Sequence, residues 1–209
     1  MRRQSPDRLD GSHRQDAAKR RLTRAQFTRL HFYGYNKIPM IRTETVLDSW
    51  KTVRQDTAQT VEDFPAADLD FKPVGEVMTF REIARHILEA GHALTGLMLD
   101  GVENMATPQF RESLQKYMAE LPPTPDAASL AQALRQNIER RAAQLALQPA
   151  EFFAHVITRF DGQLVTRLEM VQFTKEHELT HRAHLFLYSR LKGIVPVTTR
   201  RRLAKQQKA

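Results

Sequence analysis

Two stretches of the chain begin with the same helix-start signal, TFRE at residues 79–82 and TRLE at residues 166–169. The threonine of such a capping box caps free amide groups of the first turn, and the glutamate three residues later bonds back to the threonine amide. Apolar residues follow at helical spacing in both stretches. The sequence therefore predicts long helices over residues 79–99 and 166–192, the second stopped by Gly193.

Apolar periodicity predicts two further helices, over residues 43–62 and 127–147. Residues 108–119 can form a short additional helix in the connection between 99 and 127. The sequence also alternates around Asp161-Gly162, a dipeptide suited to a tight hairpin-like turn. The predicted fold class is all-α: a four-helix bundle with a long crossover between helices two and three, and a short hairpin-like turn before helix four.

The net charge of +8 belongs to the ends of the chain rather than to its middle. Residues 1–39 carry ten Lys/Arg and three Asp, and the segment from Thr198 onward adds five basic residues and no acidic one. Such ends are usually solvated and mobile. We predict a basic, flexible N-terminal extension at 1–39, the bundle at 40–196 and a basic C-terminal tail at 197–209, with Met40 a candidate for the true or an alternative start.

Composition excludes several classes of protein. The sequence has no cysteine, which rules out disulfides, thiolate metal sites and cysteine nucleophiles. No apolar run approaches the roughly 18 residues of a transmembrane helix, and the first residues lack the apolar core of a secretory signal. We expect a cytoplasmic protein that does not bind a membrane. The basic ends could touch nucleic acid through non-specific electrostatics, which we do not expect to be the function.

Three of the eight histidines lie within KEHELTHRAH, residues 175–184. His177 and His181 are one helical turn apart, so their imidazoles lie on the same face and can bind one ion. A chance spacing explains the pair about equally well, and a metal site needs a third ligand from another element. His86, in the predicted helix 79–99, is the candidate for that ligand.

Two other histidines are weaker candidates. His184 lies about 10 Å from His177 along the helix, and we interpret it as a polar neighbour of the site. His92 lies on a different side of its helix from His86, and we expect it to face solvent or a rim.

Taken together, these residues resemble the DinB-like superfamily. The resemblance rests on TFREIARHILEAGH, with a histidine after the capping box, and on HELTHRAHLFLYSRLKGIVP in the last long helix. The matching positions are His86, His177, His181, Arg182, Arg190, Gly193 and Pro196. The similarity covers about residues 40–196. One departure is His184, where many relatives have glutamine, and this histidine could support or replace a ligand.

The resemblance implies a bundle in which His86, His177 and His181 bind a divalent metal ion, most often zinc or nickel, with open positions for other ligands. Relatives have been described as metal-dependent hydrolases, thiol-dependent S-transferases and a maleylpyruvate isomerase. We therefore expect a metal-dependent enzyme that acts on an unknown small molecule and forms a homodimer.

No acid or base for the reaction stands out in the sequence. Glu89 and Glu178 could orient ligand histidines from behind, although each is more often a solvated helix charge. Two alternatives stay open. The protein could be a non-catalytic, metal-binding stress-response protein whose bundle mediates dimerisation, or a nucleic-acid-associated protein that uses its basic ends.

Overall fold

The computed structural model describes residues 42–208 of the chain. This part contains seven α-helices: α1 (Thr43–Asp63), α2 (Phe80–Leu99), α3 (Phe110–Ala119), α4 (Ala127–Ala146), α5 (Ala150–Ala154), α6 (Arg167–Leu191) and α7 (Val197–Gln206). A short 3₁₀ helix (Ala66–Asp68) follows α1, and two strands, β1 (Val156–Thr158) and β2 (Leu164–Thr166), precede α6. The predominantly helical fold is confirmed, and the four predicted long helices correspond to α1, α2, α4 and α6.

Both predicted capping boxes form. The amide of Glu82 donates to Thr79 Oγ1 at 3.2 Å, and the Thr79 amide donates to the Glu82 carboxylate at 2.7 Å. Thr166 and Glu169 make the same two bonds at 3.2 and 2.6 Å. After α6, Gly193 adopts a φ of 74°, in the left-handed region that glycine tolerates best. Local sequence signals therefore fix where α2 and α6 begin and where α6 ends.

The four long helices bury their apolar faces against one another. α1 packs against α4 and α6, and α2 packs against the same two helices and against α3. Trp50, Phe80, Leu134 and Met170, one from each long helix or its first turn, are fully buried. Burying a large apolar side chain contributes about 1.5–3 kcal/mol, so this packing fixes α2 and α6 side by side.

A small antiparallel sheet precedes α6. β1 and β2 pair with Val156 opposite Thr166, and the predicted turn at Asp161-Gly162 joins them. The all-α fold class is therefore incomplete, because it leaves out these two strands. The amide of Met105 donates to the carbonyl of Thr158 at 2.8 Å, which ties the crossover between α2 and α4 to the hairpin.

The basic segment after Pro196 forms a helix, α7, that contacts α1 while most of its side chains remain exposed to solvent. The side chains of Arg200 and Arg201 form ion pairs with Asp63 and Asp56 of α1. Part of the positive charge at this end of the chain is therefore matched by carboxylates of the same chain.

The predicted extension at 1–39 and the candidate start at Met40 lie outside the described residues. The division of the chain into three regions accordingly stays a prediction. Among the helices that the structure describes, none is long and apolar enough to span a membrane.

Candidate metal centre

His86, His177 and His181 lie together between α2 and α6. Nε2 of His177 is 3.1 Å from Nε2 of His86 and 3.2 Å from Nε2 of His181. One nitrogen from each ring lies within 4.8 Å of the other two. We call these three residues the histidine cluster. The structure thus brings together the three histidines that the sequence singles out.

The packing of α2 on α6 holds the histidine cluster in place. His177 and His181 are four residues apart on α6, and α2 presents His86 to them. Ile87, next to His86, is fully buried, and so is Leu185, one turn beyond His181. Because these apolar neighbours anchor both helices, the three rings are positioned by the core rather than by a mobile loop.

The ring nitrogens of the histidine cluster cannot satisfy one another. A neutral imidazole nitrogen either donates one proton or accepts with one lone pair. Nε2 of His177 faces both other Nε2 atoms, so it can complete only one of the two hydrogen bonds. In addition, Nδ1 of His181 is buried and has no hydrogen-bond partner in the described part of the chain. A cation among the rings would accept a lone pair from each, which removes the conflict at His177.

The cluster favours uncharged imidazoles. Burial lowers the pKa of all three histidines, and that of His177 falls to about 4 because the neighbouring rings of His181 and His86 add to the effect of burial. Near neutral pH the rings therefore keep free lone pairs, which is the form that binds a metal ion.

The spacing of the nitrogens also fits a single ion. Two nitrogens bound to one zinc ion at roughly 2.0–2.1 Å and tetrahedral angles lie roughly 3.3 Å apart. The two short contacts of His177, at 3.1 and 3.2 Å, are close to this value. Within residues 42–208, this is the only group of three His, Asp or Glu side chains close enough to hold one ion. Three histidines would leave a divalent ion at least one position for an outside ligand.

The other two histidines behave differently from each other. His184 is exposed, and its ring centroid lies 5.8 Å from that of His181, as expected for a neighbour of the site. His92 is fully buried, so the expectation that it faces solvent or a rim is wrong. Its Nδ1 lies 3.0 Å from Asn137 Nδ2 and 3.2 Å from Arg141 Nε, both on α4. Burial, together with the Arg141 charge, lowers the pKa of His92 to about 4.

Glu178 is buried rather than solvated, and its hydrogen bonds go to α1 rather than to a histidine. Its Oε1 accepts from Arg54 Nε and from Thr57 Oγ1, both at 2.8 Å. Its Oε2 accepts from Trp50 Nε1 at 2.7 Å. We call these four residues the Glu178 clamp. Because Glu178 follows His177 directly, the clamp fixes the rotation of α6 that points His177 at α2.

Sequence reasoning missed Arg54 as a supporting residue. The signal was present, since Arg54 lies among Trp50, Val53 and Thr57 in the apolar stripe of α1. A charged residue inside such a stripe calls for a buried partner of opposite charge. The partner is 124 positions away, and sequence spacing alone does not identify it.

Two open spaces meet at the histidine cluster. A cavity of about 200 Å³ is lined by His86, His177, Glu89 and apolar side chains. A polar groove of about 650 Å³ shares His86 and Glu89 with it. Glu89 accepts a hydrogen bond from Arg85 Nε at 2.7 Å. A small molecule therefore has room beside two of the three histidines.

Fold and site together define a helical protein with a three-histidine cluster that could hold a divalent ion. The chain belongs to the DinB superfamily, whose model matches residues 49–185. That range contains all three clustered histidines and the Glu178 clamp.

Similar solved structures share this fold. One is a DinB-like protein (YjoA) from Bacillus subtilis, 23% identical, with a TM-score of 0.55, covering 71% of this chain and 92% of the other. Another is a mycothiol-dependent maleylpyruvate isomerase, 14% identical, with a TM-score of 0.52, and a point mutant of that isomerase matches at 0.53. The match covers 69% of this chain and 61% of the isomerase chain. The comparison with curated proteins finds no match.

Proposed function

We propose that this protein is a metal-dependent enzyme that acts on a small molecule, with Zn²⁺ or Ni²⁺ held by His86, His177 and His181. In this proposal α1, α2, α4 and α6 form the four-helix bundle that carries the site. The observation behind it is the convergence of three imidazoles, which burial keeps uncharged, on one point.

When bound, the ion would supply Lewis acidity that makes water or a thiol a nucleophile near neutral pH. The chain's own residues do the rest. The three neutral histidines bind without cancelling the positive charge of the ion. The Glu178 clamp orients α6, and the two open spaces give a substrate access to the cluster.

Two reaction classes fit this site: hydrolysis, and thiol-dependent transfer. The fold that the chain shares with the mycothiol-dependent isomerase supports the thiol-dependent class. Histidines that bind the ion are not free to act as acid or base, and Glu89 is the carboxylate that lines both spaces.

The metal premise is tested by reconstituting purified protein with Zn²⁺ or Ni²⁺ and measuring bound metal. We expect about one ion per chain in the wild type. Separate substitutions of His86, His177 and His181 by alanine should each weaken binding by 10-fold or more, because only two nitrogen ligands remain.

The matched control is His184→Ala, which removes an exposed histidine of the same helix one turn from His181. This variant should bind metal like the wild type. Equal metal binding in His177→Ala and the wild type would overturn the assignment of the ligands. A loss in His184→Ala equal to that in His181→Ala would make His184 a further ligand.

Activity separates the remaining alternatives. Metal-loaded protein is incubated with ester, amide and electrophile panels, with and without a low-molecular-weight thiol. Turnover that requires the thiol supports a transferase, and turnover in water alone supports a hydrolase. Stoichiometric metal with no turnover on any panel would favour the non-catalytic metal-binding protein. The homodimer and the cytoplasmic location stay predictions.

A further inference from the structure

The cavity of about 200 Å³ beside the histidine cluster has a distinctive apolar wall. We call it the phenylalanine cavity, and its apolar lining includes Ala90, Leu94, Phe110, Leu114, Phe160 and Phe173. These residues come from α2, α3, the β1–β2 turn and α6, so four separate parts of the fold converge there. His86 and His177 complete the wall. A molecule in the cavity therefore lies beside two of the proposed metal ligands.

Three phenylalanine rings form a continuous path to His177. The rings of Phe110 and Phe160 stack with centroids 5.4 Å apart, and Phe160 meets Phe173 edge-on at 5.6 Å. The Phe173 ring lies nearly parallel to the His177 imidazole at 6.3 Å. Aromatic walls of this kind favour flat or apolar groups, which pack against ring faces and edges.

The size of the cavity limits its occupant. A cavity of roughly 150 Å³ lined by Leu, Ile and Phe side chains is large enough to bind benzene. The phenylalanine cavity, at about 200 Å³, therefore has room for one ring with a short substituent. It is smaller than the roughly 300–1,000 Å³ of sites that hold drug-sized ligands.

The charges around the phenylalanine cavity disfavour an anion. The Arg159 guanidinium lies 4.7 Å from the Phe173 ring centroid, but its Nε donates to Asp161 at 3.0 Å. Glu89, which lines the cavity, pairs with Arg85. None of the lining residues that the structure describes is a lysine or arginine. An acidic group in this cavity would lose its hydration without gaining an unpaired cation.

We infer that the phenylalanine cavity binds an uncharged aromatic ring of the substrate and places the polar group next to that ring at the histidine cluster. The substrate is thus a small molecule in which a single aromatic ring is attached to a functional group that can bind a metal ion. The role of the cluster in this inference rests on the proposed function, whereas occupancy of the cavity does not.

The first experiment tests occupancy without metal. Binding of 4-fluorobenzyl alcohol and of 4-fluorobenzoate to metal-free protein is followed by ligand-observed ¹⁹F NMR. We expect the alcohol to bind and the carboxylate to bind at least about 10-fold more weakly, because only the carboxylate must be desolvated as a charge. No binding of the alcohol to the wild type, or tighter binding of the carboxylate, overturns the inference.

Filling the cavity locates the bound ring. Ala90→Phe places a ring inside the cavity, and Leu114→Trp fills it from α3, so one variant serves if the other does not fold. Each should weaken binding of 4-fluorobenzyl alcohol by about 10-fold or more. The matched control is Ala143→Phe, the same change at an exposed position of α4. Equal binding by the wild type and both filled variants would place the ring elsewhere and overturn the inference.

The second experiment joins the cavity to the cluster. Zinc-loaded protein is titrated with benzohydroxamate and acetohydroxamate, which share a metal-binding group and differ by a ring. We expect the wild type to prefer the phenyl compound by about 10-fold or more, and the filled variants to lose that preference. Metal binding without a phenyl preference overturns this inference and leaves the proposed function standing. Binding of the fluorinated alcohol in a protein that takes up no metal overturns the proposed function and leaves the cavity occupancy standing.

Discussion

His177 and Glu178 are neighbours on α6, but the hydrogen bonds of Glu178 are complete and those of His177 are not. Glu178 is buried, and three donors from α1 satisfy it. His177 is half-buried and faces two more imidazoles that cannot both bond to it. The Glu178 clamp is therefore complete within the chain, whereas the histidine cluster is completed only by something from outside.

This difference separates structural polar groups from ligand-binding ones. A buried ion pair is tolerated when its hydrogen bonds are made, and it then fixes how elements pack. A group of unsatisfied lone pairs next to open space has the opposite character, since a ligand relieves its deficit. The comparison predicts that the clamp controls the stability of the metal-free protein and that the cluster controls its response to metal.

The largest expected effect is the loss of the clamp. Glu178→Ala leaves the Arg54 guanidinium buried without its carboxylate, and breaking a buried pair in this way costs about 3–5 kcal/mol. Urea unfolding of metal-free protein measures the change. Glu176→Ala, at an exposed position of the same helix, should change the free energy of unfolding by less than about 0.5 kcal/mol. Similar losses in the two variants would show that the clamp does not stabilise the fold.

The histidine cluster should contribute little to the stability of the metal-free protein and much to its stabilisation by zinc. In metal-free protein, His177→Ala should cost less than about 1 kcal/mol, because it removes an imidazole whose contacts are in conflict. Zinc at 100 times the wild-type dissociation constant should stabilise the wild type by about 2.7 kcal/mol and His177→Ala by about 1.4 kcal/mol or less. The measurement is the midpoint of unfolding with zinc and with a chelator. An equal zinc response in the variant would place the metal elsewhere.

Local signals explain why the helices were predictable from sequence. Thr79 and Thr166 begin α2 and α6 through bonds to residues three positions away, and the sequence displays such pairs directly. The i, i+4 spacing of His177 and His181 is equally local. His86 is 91 positions away from His177, and it was found because its helix also carries the motif of the family.

The missed features depend on distant partners. Whether His92 faces solvent depends on α4, which supplies Asn137 and Arg141 to its ring. Such burial follows from how helices are rotated in the packed protein, and a hydrophobic pattern gives that rotation only approximately.

A buried imidazole outside the histidine cluster, that of His92, extends the comparison to pH. It faces Asn137, Arg140 and Arg141 of α4 and Glu120 of the segment after α3. Its pKa is about 4 in the folded protein, below the ordinary value of 6.5. Between these pH values the unfolded chain takes up a proton that the folded chain does not. Stability is therefore complete above pH 6.5 and is lost as pH falls towards 4.

Substituting His92 isolates its share of this pH dependence. On going from pH 7.5 to pH 5 in the presence of a chelator, His92→Gln should lose about 2 kcal/mol less unfolding free energy than the wild type. Urea unfolding at the two pH values gives the difference. The histidine cluster titrates in the same direction in both proteins and cancels. An equal loss in the two proteins would mean that His92 takes up its proton in the folded state as readily as in the unfolded chain.

The smallest effect is expected where one partner of a charge pair is accessible to solvent. Arg201 of α7 pairs with Asp56 of α1, and about half of the arginine side chain is exposed to solvent. This pair therefore differs from the Glu178 clamp, whose α1 residues are buried. Arg201→Ala should lower the unfolding free energy by less than about 1 kcal/mol. The loss should shrink in 1 M salt, where charges are screened within roughly 3 Å.

Arg202→Ala, which removes an arginine with no ion pair among the described residues, is the control and should have no salt-dependent effect. Asp56 also contacts Arg182 at 3.5 Å, so its carboxylate keeps one cation in Arg201→Ala. A loss above about 2 kcal/mol in this variant would mean that the half-exposed pair stabilises the fold as the buried clamp does. Complete hydrogen bonding, rather than burial of both partners, would then decide which polar groups stabilise the fold.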